Sequence, residues 1–410
     1  MELKVTYDNS KYGDKWIEDL KSGFESAYSS VKVNAHADGQ LSQKILPMLE
    51  SGKDLPDLLF LSASDWQYMA QKGWLSDLTS LYSETVDSGK TVKQKIKPEY
   101  LGYCGYEGKY WVMPWADDVP GLVYNETLFE DNGWTVPKTM NELFELIPKI
   151  TSKGIAPFAW SGEEISSWDT AVINWWAQYE GLGSIKNYLK MTTPEVYGQR
   201  GRLEALKTFE KIIIDTSNSV PDALKISREK AVKLFYEGKA AMMPAGPWIQ
   251  NLSGLSVPYG FQLKMMAVPA IDGAKQTDIK FVKPGDIAII PEKAKNKKQA
   301  AAFLRYLSTD QALVQFTADT AVPRPFQYPV NTSVGLSDFE QSVMKIWDSG
   351  KTVYEYSSNP LYRTRYFDWP SRGEPFYQIV CGSLTAQQAF EENLDYAKKH
   401  WSADSKATSK

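Results

Sequence analysis

The sequence predicts an α/β protein built from more than one domain. Its first third alternates short apolar runs, typical of strands, with longer segments of helical periodicity, and this order produces a parallel sheet covered by helices. The 410 residues exceed what one hydrophobic core usually serves. No Gly/Ser-rich linker or change in composition divides the chain. We therefore expect a chain that crosses between two domains more than once.

The strands and helices of the first third can be assigned in order. The strand-like runs are "LKVTY", "VKVNAHA" and "DLLFL". A first helix is predicted from Asp14 to Tyr28, because Trp16, Leu20, Phe24 and Tyr28 recur at four-residue spacing. A second helix is predicted over about Gln40 to Glu50. A third begins in "SASDWQYMAQKGWL", directly after the last of these strands.

Several later elements have recognisable boundaries. Thr139 with Glu142, and Thr385 with Gln388, each match a capping box at a helix start. The helix in "SREKAVKLFYEGK" is predicted to end at Gly238, before a short strand "AAMM". The run "GDIAII" predicts another strand and "NKKQAAAFLRYLS" another helix. The polar tail "SADSKATSK" is expected to be disordered.

Composition excludes several classes of function. A net charge of -4 provides no basic excess for neutralising phosphates, so nucleic acid is not expected as a partner. His36 and His400 are the only histidines, which argues against histidine-based catalysis and zinc binding. The sequence contains no G-x-S-x-G elbow, P-loop, dinucleotide fingerprint or HExxH motif. We expect no catalytic residue, cofactor or metal.

The two cysteines and the chain start give weaker indications. Cys104 and Cys381 are expected to be unpaired buried thiols, although the sequence leaves a disulfide open. No run of eighteen apolar residues predicts a membrane span. The chain begins at the strand-like "MELKVTY" without a signal-like segment, which fits either a cytosolic protein or a mature region behind an added Met1.

Two adjacent carboxylates beside an indole form the first candidate site. Asp117 and Asp118 follow Trp115 in "YWVMPWADDVPGLVYN". Adjacent residues of an extended segment point to opposite faces, which suits poorly the paired carboxyl groups that a glycosidase needs. A binding role needs only one of them to reach a ligand hydroxyl. Two solvated loop acids between Pro114 and Pro120 are the alternative.

A second candidate lies where a predicted strand ends. Asp65 and Trp66 follow "DLLFL" at the start of a helix, and ligands of open α/β sheets bind at the carboxyl ends of strands. Asp65, Ser64 or Ser62 could instead cap the helix while Trp66 packs on the sheet. The same argument applies less strongly to Gly285 and Asp286, because Asp286 precedes its strand.

Further aromatic residues lie in polar loops. Trp160 and Trp168 bracket "SGEEISS", Trp248 follows a Gly-Pro turn, and Trp369 lies near Arg363. Each one alone is more often a packing residue than a ligand contact. Together, aromatics beside Asp, Glu or Arg favour a carbohydrate site, since sugar rings stack on aromatic faces while polar groups bind their hydroxyls.

An ordered set of segments resembles a known family. "GKYWVMPWADDVPGLVYNETLFEDNGWTVPKTMNELFEL", "FYEGKAAMMPAGPW", "IPEKAKNKKQAAAFLRYLSTDQALVQF" and "TAVPRPF" resemble, in this order, the elements of extracellular solute-binding proteins family 1, the sugar-binding components of ABC importers. The resemblance covers about residues 3 to 397. Members often begin as lipoproteins with a signal and an anchoring cysteine, and neither is present in this sequence.

The resemblance implies a fold, a function and a set of site residues. The fold is a two-lobed periplasmic-binding-protein-like type II α/β fold with hinge segments, lobe one being 1–115 plus 285–325 and lobe two 116–284 plus 326–410. The function is non-enzymatic binding of a carbohydrate in the interlobe cleft, by a monomer that delivers it to the permease of an ABC transporter. The 14 tryptophans favour an oligosaccharide over a monosaccharide, because each sugar ring needs its own aromatic platform. The location would be extracellular, as a cell-surface lipoprotein or in the periplasm. The expected ligand-binding residues are Asp65, Trp66, Trp115, Asp117, Asp118, Trp160, Trp168, Trp248, Arg324, Arg363 and Trp369.

Two alternatives stay open from the sequence. A glycan-cleaving enzyme would use Asp117 with a second carboxylate across the site. A binding protein for another solute, such as a peptide or a polyamine, would line its site with acids for a cation. Cleavage of a bound glycan would favour the first alternative, and competition by spermidine the second.

Overall fold

The computed structural model describes residues 1–62, 65–87, 89–252, 255–329, 335–356 and 374–408, with the backbone alone for 374–376 and 402–408. The strands in these ranges are β1 (Glu2–Tyr7), β2 (Lys32–Ala37), β3 (Leu58–Leu61), β4 (Gly105–Tyr106), β5 (Lys109–Tyr110), β6 (Met113–Pro114), β7 (Gly121–Asn125), β8 (Ala156–Phe158), β9 (Ala240–Met243), β10 (Leu263–Ala267), β11 (Ile279–Val282), β12 (Ile287–Ile289) and β13 (Lys351–Tyr354).

Helices alternate with these strands along much of the chain. They are α1 (Lys15–Ala27), α2 (Leu41–Ser51), α3 (Trp66–Gln71), α4 (Thr79–Tyr82), α5 (Val92–Lys95), α6 (Pro98–Cys104), α7 (Glu126–Asn132), α8 (Met140–Thr151), α9 (Asp169–Glu180), α10 (Leu182–Lys190), α11 (Arg200–Ile213), α12 (Arg228–Tyr236), α13 (Lys297–Tyr306), α14 (Asp310–Thr320), α15 (Asp338–Trp347), α16 (Glu374–Val380) and α17 (Ala386–Thr408). Short 3₁₀ helices span Gly162–Trp168, Pro194–Gly198, Thr216–Asn218 and Pro247–Asn251.

The chain forms two compact units, and each contains more than one segment of the sequence. Unit 1 comprises 1–118, 248–256 and 284–344, and unit 2 comprises 119–247, 257–283 and 345–410. The chain therefore passes from one unit to the other several times without a linker. Relative to the lobes drawn from the sequence, unit 1 also includes 248–256 and reaches residue 344 rather than 325.

Unit 1 contains a five-stranded sheet in the order β2-β1-β3-β12-β6. Strands β1, β2 and β3 are parallel, as the alternating pattern of the first third predicts. β12 runs antiparallel to both β3 and β6. Since β12 is antiparallel to each of them, β6 runs in the same direction as β3. Strands β1, β3 and β6 therefore all end at one edge of this sheet.

An aromatic core lies on the α1 side of the unit 1 sheet. Trp16, on the buried face of α1, packs against Phe60 of β3 at 5.4 Å and against Trp115 at 4.8 Å, between ring centroids. Phe316 of α14 completes the group at 5.7 Å from Trp16 and 4.9 Å from Trp115. Each ring is at most 2% exposed. This core fixes α1 and α14 against the strands that end at the edge described above.

Unit 2 contains a four-stranded mixed sheet in the order β10-β7-β9-β8 and a separate pair of parallel strands, β11 and β13. β7 is antiparallel to β9 and β10, whereas β8 and β9 are parallel. The largely buried helix α9 connects these layers. Its Asn174 side chain donates to the Phe281 carbonyl at 2.8 Å and accepts from the Phe281 amide at 2.9 Å. The Trp175 indole donates to the Pro269 carbonyl at 3.0 Å.

Several predictions from the sequence can be compared directly with the elements. Both capping boxes form: Glu142 and Gln388 donate backbone N–H groups to the Thr139 and Thr385 hydroxyls, each at 3.2 Å. The tail prediction is wrong, because α17 continues through it to Thr408. Both cysteines are free, yet only Cys104 is buried, so the prediction of a second buried thiol is also wrong. None of the helices in the described ranges combines the length and the hydropathy that a membrane span requires.

Candidate functional site

Polar side chains gather at the edge of the unit 1 sheet where β1, β3 and β6 end. Asp8 follows β1, Ser62 follows β3, and Asp117 lies three residues after β6. Asp286 directly precedes β12, and it reaches the same edge because β12 runs in the opposite direction. In the sequence, the position of Asp286 before a strand argued against a place in the site. Because β12 is antiparallel to β3, this position puts Asp286 beside Asp8, Ser62 and Asp117.

Lys11 joins the ends of these strands. Its Nζ donates to Ser62 Oγ at 2.9 Å and to Asp286 Oδ1 at 3.0 Å, and the Ser62 hydroxyl itself donates to Asp286. The Asp286 side chain is 5% exposed, whereas that of Lys11 is 40% exposed. Lys11 therefore anchors a buried carboxylate and still has an accessible surface.

The electrostatic environment of Lys11 is acidic. Burial acts to lower the pKa of Lys11, but the carboxylates of Asp286, Asp118 and Asp8 outweigh it, and the pKa is raised overall. Burial and the same three carboxylates raise the pKa of the Tyr12 hydroxyl well above its ordinary value. We refer to Asp8, Lys11, Tyr12, Ser62, Asp118 and Asp286 as the strand-end cluster.

The backbone after β6 brings the adjacent aspartates to this edge. The Asp117 amide donates to the Pro323 carbonyl at 2.9 Å, and its buried carboxylate accepts from the Asp118 amide at 3.1 Å. Asp118 is half-buried. The Asp117 carboxylate thus helps to fix the turn, and Asp118 presents the more accessible carboxylate of the two.

A glycine permits the close approach of two segments at this edge. The amides of Trp115 and Ala116 both donate to the Asp286 carbonyl, at 2.8 and 3.2 Å. A Cβ on Gly285 would lie 2.9 Å from the carbonyl carbon of Ala116 and closer still to its oxygen. Such contacts are shorter than atoms tolerate, so only glycine fits where these backbones meet.

Trp115 and Arg324 lie beneath the edge rather than on it. The Arg324 guanidinium carbon is 3.8 Å from the Trp115 ring centroid, a cation–π contact, and neither side chain is more than 1% exposed. Arg324 donates to the carbonyls of Leu307 and Pro114, both at 3.2 Å. Burial lowers the pKa of Arg324 to about 9. These two side chains support the segment that carries the aspartates.

The other predicted pair in unit 1 is divided between surface and core. Asp65 is exposed at the start of α3, and its side chain does not cap that helix. Trp66 is fully buried and contacts the edge of the Tyr103 ring at 5.8 Å between centroids. Trp66 is therefore a packing residue, which was the alternative to a ligand contact, whereas the Asp65 side chain is accessible to solvent.

The remaining predicted tryptophans also differ in accessibility. In unit 2, Trp168 is buried between Phe158 and Phe209, at 5.1 and 5.7 Å between centroids. Trp160, which follows β8, is 4% exposed, and its indole donates to Ser219 Oγ at 2.8 Å. Trp248 belongs to unit 1 and is half-buried. Arg363 and Trp369 lie outside the described residues.

Sequence reasoning missed four residues of the cluster. Asp8, Lys11 and Tyr12 belong to the loop "DNSKYG", which follows the first predicted strand directly, and Ser62 follows the third. The strand-end rule that selected Asp65 would have selected this loop as well. This loop contains neither adjacent acids nor a tryptophan beside an acid, the two patterns that identified the other candidate residues, so its composition did not predict a site.

The arrangement suits the recognition of hydroxyl groups. A hydroxyl both donates and accepts hydrogen bonds, and the partly exposed members of the cluster include the Asp118 carboxylate as an acceptor and the Lys11 ammonium as a donor. Within the described residues, no group of three or more His, Cys, Asp or Glu side chains is arranged to hold a metal. Binding through hydrogen bonds is the chemistry for which this edge is equipped.

Mixed α/β units joined by several chain crossings, with polar groups at the carboxyl edge of a sheet, are typical of periplasmic-binding-protein-like folds. The sequence model of the bacterial extracellular solute-binding protein family matches residues 7–313, and the chain belongs to this family. The recognition from sequence motifs is therefore confirmed.

Two relatives whose names state a sugar ligand align with about three quarters of this chain at low sequence identity. The chain is 23% identical over 318 residues to the diacetylchitobiose binding protein NgcE of Streptomyces coelicolor, covering 76% of this chain and 67% of that protein. It is 25% identical over 334 residues to the multiple sugar-binding protein of Streptococcus mutans, covering 77% and 74%.

Solved structures share the fold over nearly the whole chain. One is the GacH receptor of Streptomyces glaucescens, determined unliganded and with acarbose, with a TM-score of 0.75 and 20% identity over 97% of this chain and 98% of that one. The predicted fold class, a periplasmic-binding-protein-like α/β fold, is confirmed.

Proposed function

We propose that this protein is a carbohydrate receptor that binds an oligosaccharide and delivers it to the permease of an ABC importer. Two lines of support meet here. The family comprises extracellular solute-binding proteins, and relatives in it are named for diacetylchitobiose and multiple sugars. The observation that carries the proposal is the strand-end cluster, where Lys11 and Asp118 present a donor and an acceptor at the edge of the unit 1 sheet.

We assign different roles to the candidate residues. Lys11, Asp118 and Asp65 would hydrogen-bond sugar hydroxyls, since all three are accessible. Trp248, half-buried, would stack on a sugar ring. Asp117, Trp115 and Arg324 would hold the segment after β6 in place. Trp160, Arg363 and Trp369 stay candidates for further contacts, whereas the buried Trp66 and Trp168 would act through packing.

The receptor would leave its ligand unchanged. A glycosidase needs two carboxyl groups on either side of one bond, one of them able to transfer a proton. Asp286 is tied to Lys11 and Ser62, and the Asp117 carboxylate accepts a backbone amide, so both are occupied in holding the site together. Support for a binding role also comes from the family, which is one of substrate-binding proteins.

The protein would work as a monomer outside the cytoplasmic membrane. The location is supported by the extracellular solute-binding family to which the chain belongs and by a relative named as an ABC transporter extracellular-binding protein. A lipid anchor on the natural chain would keep such a receptor near its permease. Size-exclusion chromatography with light scattering would give a mass near 46.3 kDa for a monomer.

A thermal-shift screen against a glycan panel tests the proposal. The panel contains N,N′-diacetylchitobiose, raffinose, maltotriose, xylotriose and galactobiose, with spermidine and a tripeptide as non-sugar solutes. A ligand that binds only the native state raises the unfolding midpoint with concentration. A shift with a glycan that chromatography recovers intact supports the receptor. Cleavage of the glycan, or a shift with spermidine or the tripeptide alone, would overturn it.

A further inference from the structure

The exposed face of α3 carries a tyrosine. Asp65, Tyr68 and Gln71 are exposed, whereas Trp66 is buried. Residues three apart on a helix share one face, so the three exposed side chains lie side by side along α3. Tyr68 is 40% exposed, and among the described residues of unit 1 only Met1 is a large hydrophobic side chain with greater exposure. The fold thus leaves an aromatic ring accessible on this face.

Neighbouring side chains hold the Tyr68 ring in place. The Trp74 ring lies 5.8 Å away between centroids at an interplanar angle of 90°, and the Lys72 ammonium is 5.3 Å from the Tyr68 centroid. Gln71 donates to the Tyr106 hydroxyl at 2.7 Å, and Trp74 and Tyr106 are both half-buried. We refer to Tyr68, Gln71, Trp74 and Tyr106 as the α3 platform. Because the Tyr68 ring is already ordered, stacking on it costs little side-chain entropy.

The α3 platform is continuous with the proposed site. Ser62 of the strand-end cluster lies three residues before Asp65, and Asp65 lies one turn of α3 before Tyr68. A rise of about 1.5 Å per residue separates Asp65 from Tyr68 by about 4.5 Å along the helix axis. Leu75, beyond the end of α3, pairs with Pro291, which follows the end of β12. α3 therefore runs from the edge of the sheet that carries the cluster towards the opposite edge.

We infer that the α3 platform is an accessory glycan subsite, on which a sugar ring stacks when the oligosaccharide is long enough to extend beyond Asp65. The inference rests on the proposed function and specifies its substrate class, an oligosaccharide chain whose rings expose an apolar face. Such a face packs against an aromatic ring, while the hydroxyls around it bond to the Gln71 amide and the Lys72 ammonium. Continuity with Asp65, a proposed sugar contact, favours a glycan over a protein partner as the occupant.

A length series of oligosaccharides tests the α3 platform. Isothermal titration compares the full chain with its Tyr68→Ala variant, using the disaccharide to the hexasaccharide of the chitin, maltose and xylan series, and raffinose, stachyose and verbascose. In a series that binds, affinity should rise with length. Tyr68→Ala should weaken the longer members about threefold to tenfold, the effect of one aromatic contact, and leave the shortest binding member unaffected.

Two further variants distinguish stacking from other effects of the substitution. Tyr68→Phe keeps the ring and should retain the affinity for the longer members. Tyr259→Ala removes a fully exposed tyrosine of unit 2 and should leave every affinity unchanged. The turn with Tyr259 leads into β10, whose first residue, Leu263, pairs with Asn125 at the end of β7 rather than with Gly121 next to the chain crossing. Circular dichroism verifies that all three variants are folded.

The outcomes separate this inference from the proposed function. Unchanged affinity of Tyr68→Ala for every member of a binding series would overturn the inference, leave the carbohydrate receptor standing and point to a protein partner for the exposed ring. An equal loss at every length would also overturn it, because the ring would then act on the site as a whole. So would a series in which affinity does not rise with length. If the wild-type chain binds no glycan, the proposed function fails, and the inference fails with it.

Discussion

Lys11 is the side chain on which the proposed site depends most. Replacement by Met removes the donor to Ser62 and Asp286 and leaves the Asp286 carboxylate, with 5% exposure, without its cation. We expect glycan affinity to fall at least about tenfold, and the free energy of unfolding to fall by about 1–3 kcal/mol. Titration calorimetry measures the first and urea unfolding the second.

A matched variant separates this effect from general loss of charge. Lys53→Met removes an exposed lysine that makes no contact with the cluster, and both affinity and stability should stay within about 0.5 kcal/mol of the parent protein. Wild-type affinity in the Lys11→Met protein would exclude Lys11 from the site.

Gly285 provides a second test at the scale of one residue. Alanine there would force its Cβ against the backbone of Ala116, and we expect a loss of about 1–3 kcal/mol in unfolding free energy together with weaker glycan binding. Gly102→Ala is the control: it lies exposed in α6 with no atom within 4 Å of the added Cβ, and it should stabilise the protein by about 0.5–1 kcal/mol. Tolerance of alanine at Gly285 would contradict the close approach.

The two cysteines should differ in reactivity. Burial raises the pKa of the Cys104 thiol to about 12, so it stays protonated and shielded at pH 8. Cys381 is exposed. A chromogenic disulfide reagent should therefore label one thiol per native chain at pH 8 and two in denaturant. Rapid labelling of two native thiols would contradict the burial of Cys104.

At the scale of elements, the capping box of α8 offers a direct measurement. Thr139→Ala removes the hydroxyl that accepts a hydrogen bond from the Glu142 amide. An N-cap of this kind contributes about 1 kcal/mol to the free energy of unfolding. Thr139→Ser keeps the acceptor and should retain most of that stability. Urea unfolding distinguishes the two, and equal losses for both variants would show that packing of the Thr139 methyl group, rather than capping, is responsible.

The elements with local signals were predictable from sequence. The four-residue spacing of apolar residues from Trp16 to Tyr28 predicts α1. Each capping box joins a threonine hydroxyl to the backbone N–H three residues later, so it too can be read from local sequence. α17 was harder, because the polar residues after Trp401 carry no apolar stripe and yet continue the helix to Thr408. The polar composition of this tail predicts disorder, but the helix that begins at Ala386 continues into it.

The site was predictable only in part, for reasons of sequence separation. Asp117 and Asp118 were selected by local composition, and their placement at a strand end follows from the direction of β6. The contact between Lys11 and Asp286 joins residues 275 positions apart and depends on β12 running antiparallel between β3 and β6. A strand order of this kind results from tertiary pairing, which no local pattern specifies.

For the whole molecule, the alternation of strands and helices and the missing linker predicted a chain shared between two bodies. Each unit indeed draws on three segments of sequence. The unit boundaries depend on which segments pack together, and 248–256 is assigned to unit 1 although segments of unit 2 precede and follow it. Sequence order alone does not encode such an assignment.

The central claim, that the protein binds an oligosaccharide without altering it, is tested most directly by calorimetric titration. The full chain is titrated with the neutral oligosaccharide that gives the largest thermal shift, and the glycan is then recovered and analysed by mass spectrometry. Saturable binding with the mass of the glycan unchanged is the predicted result. Absence of binding to every neutral glycan of the panel, or recovery of cleaved products, would contradict it.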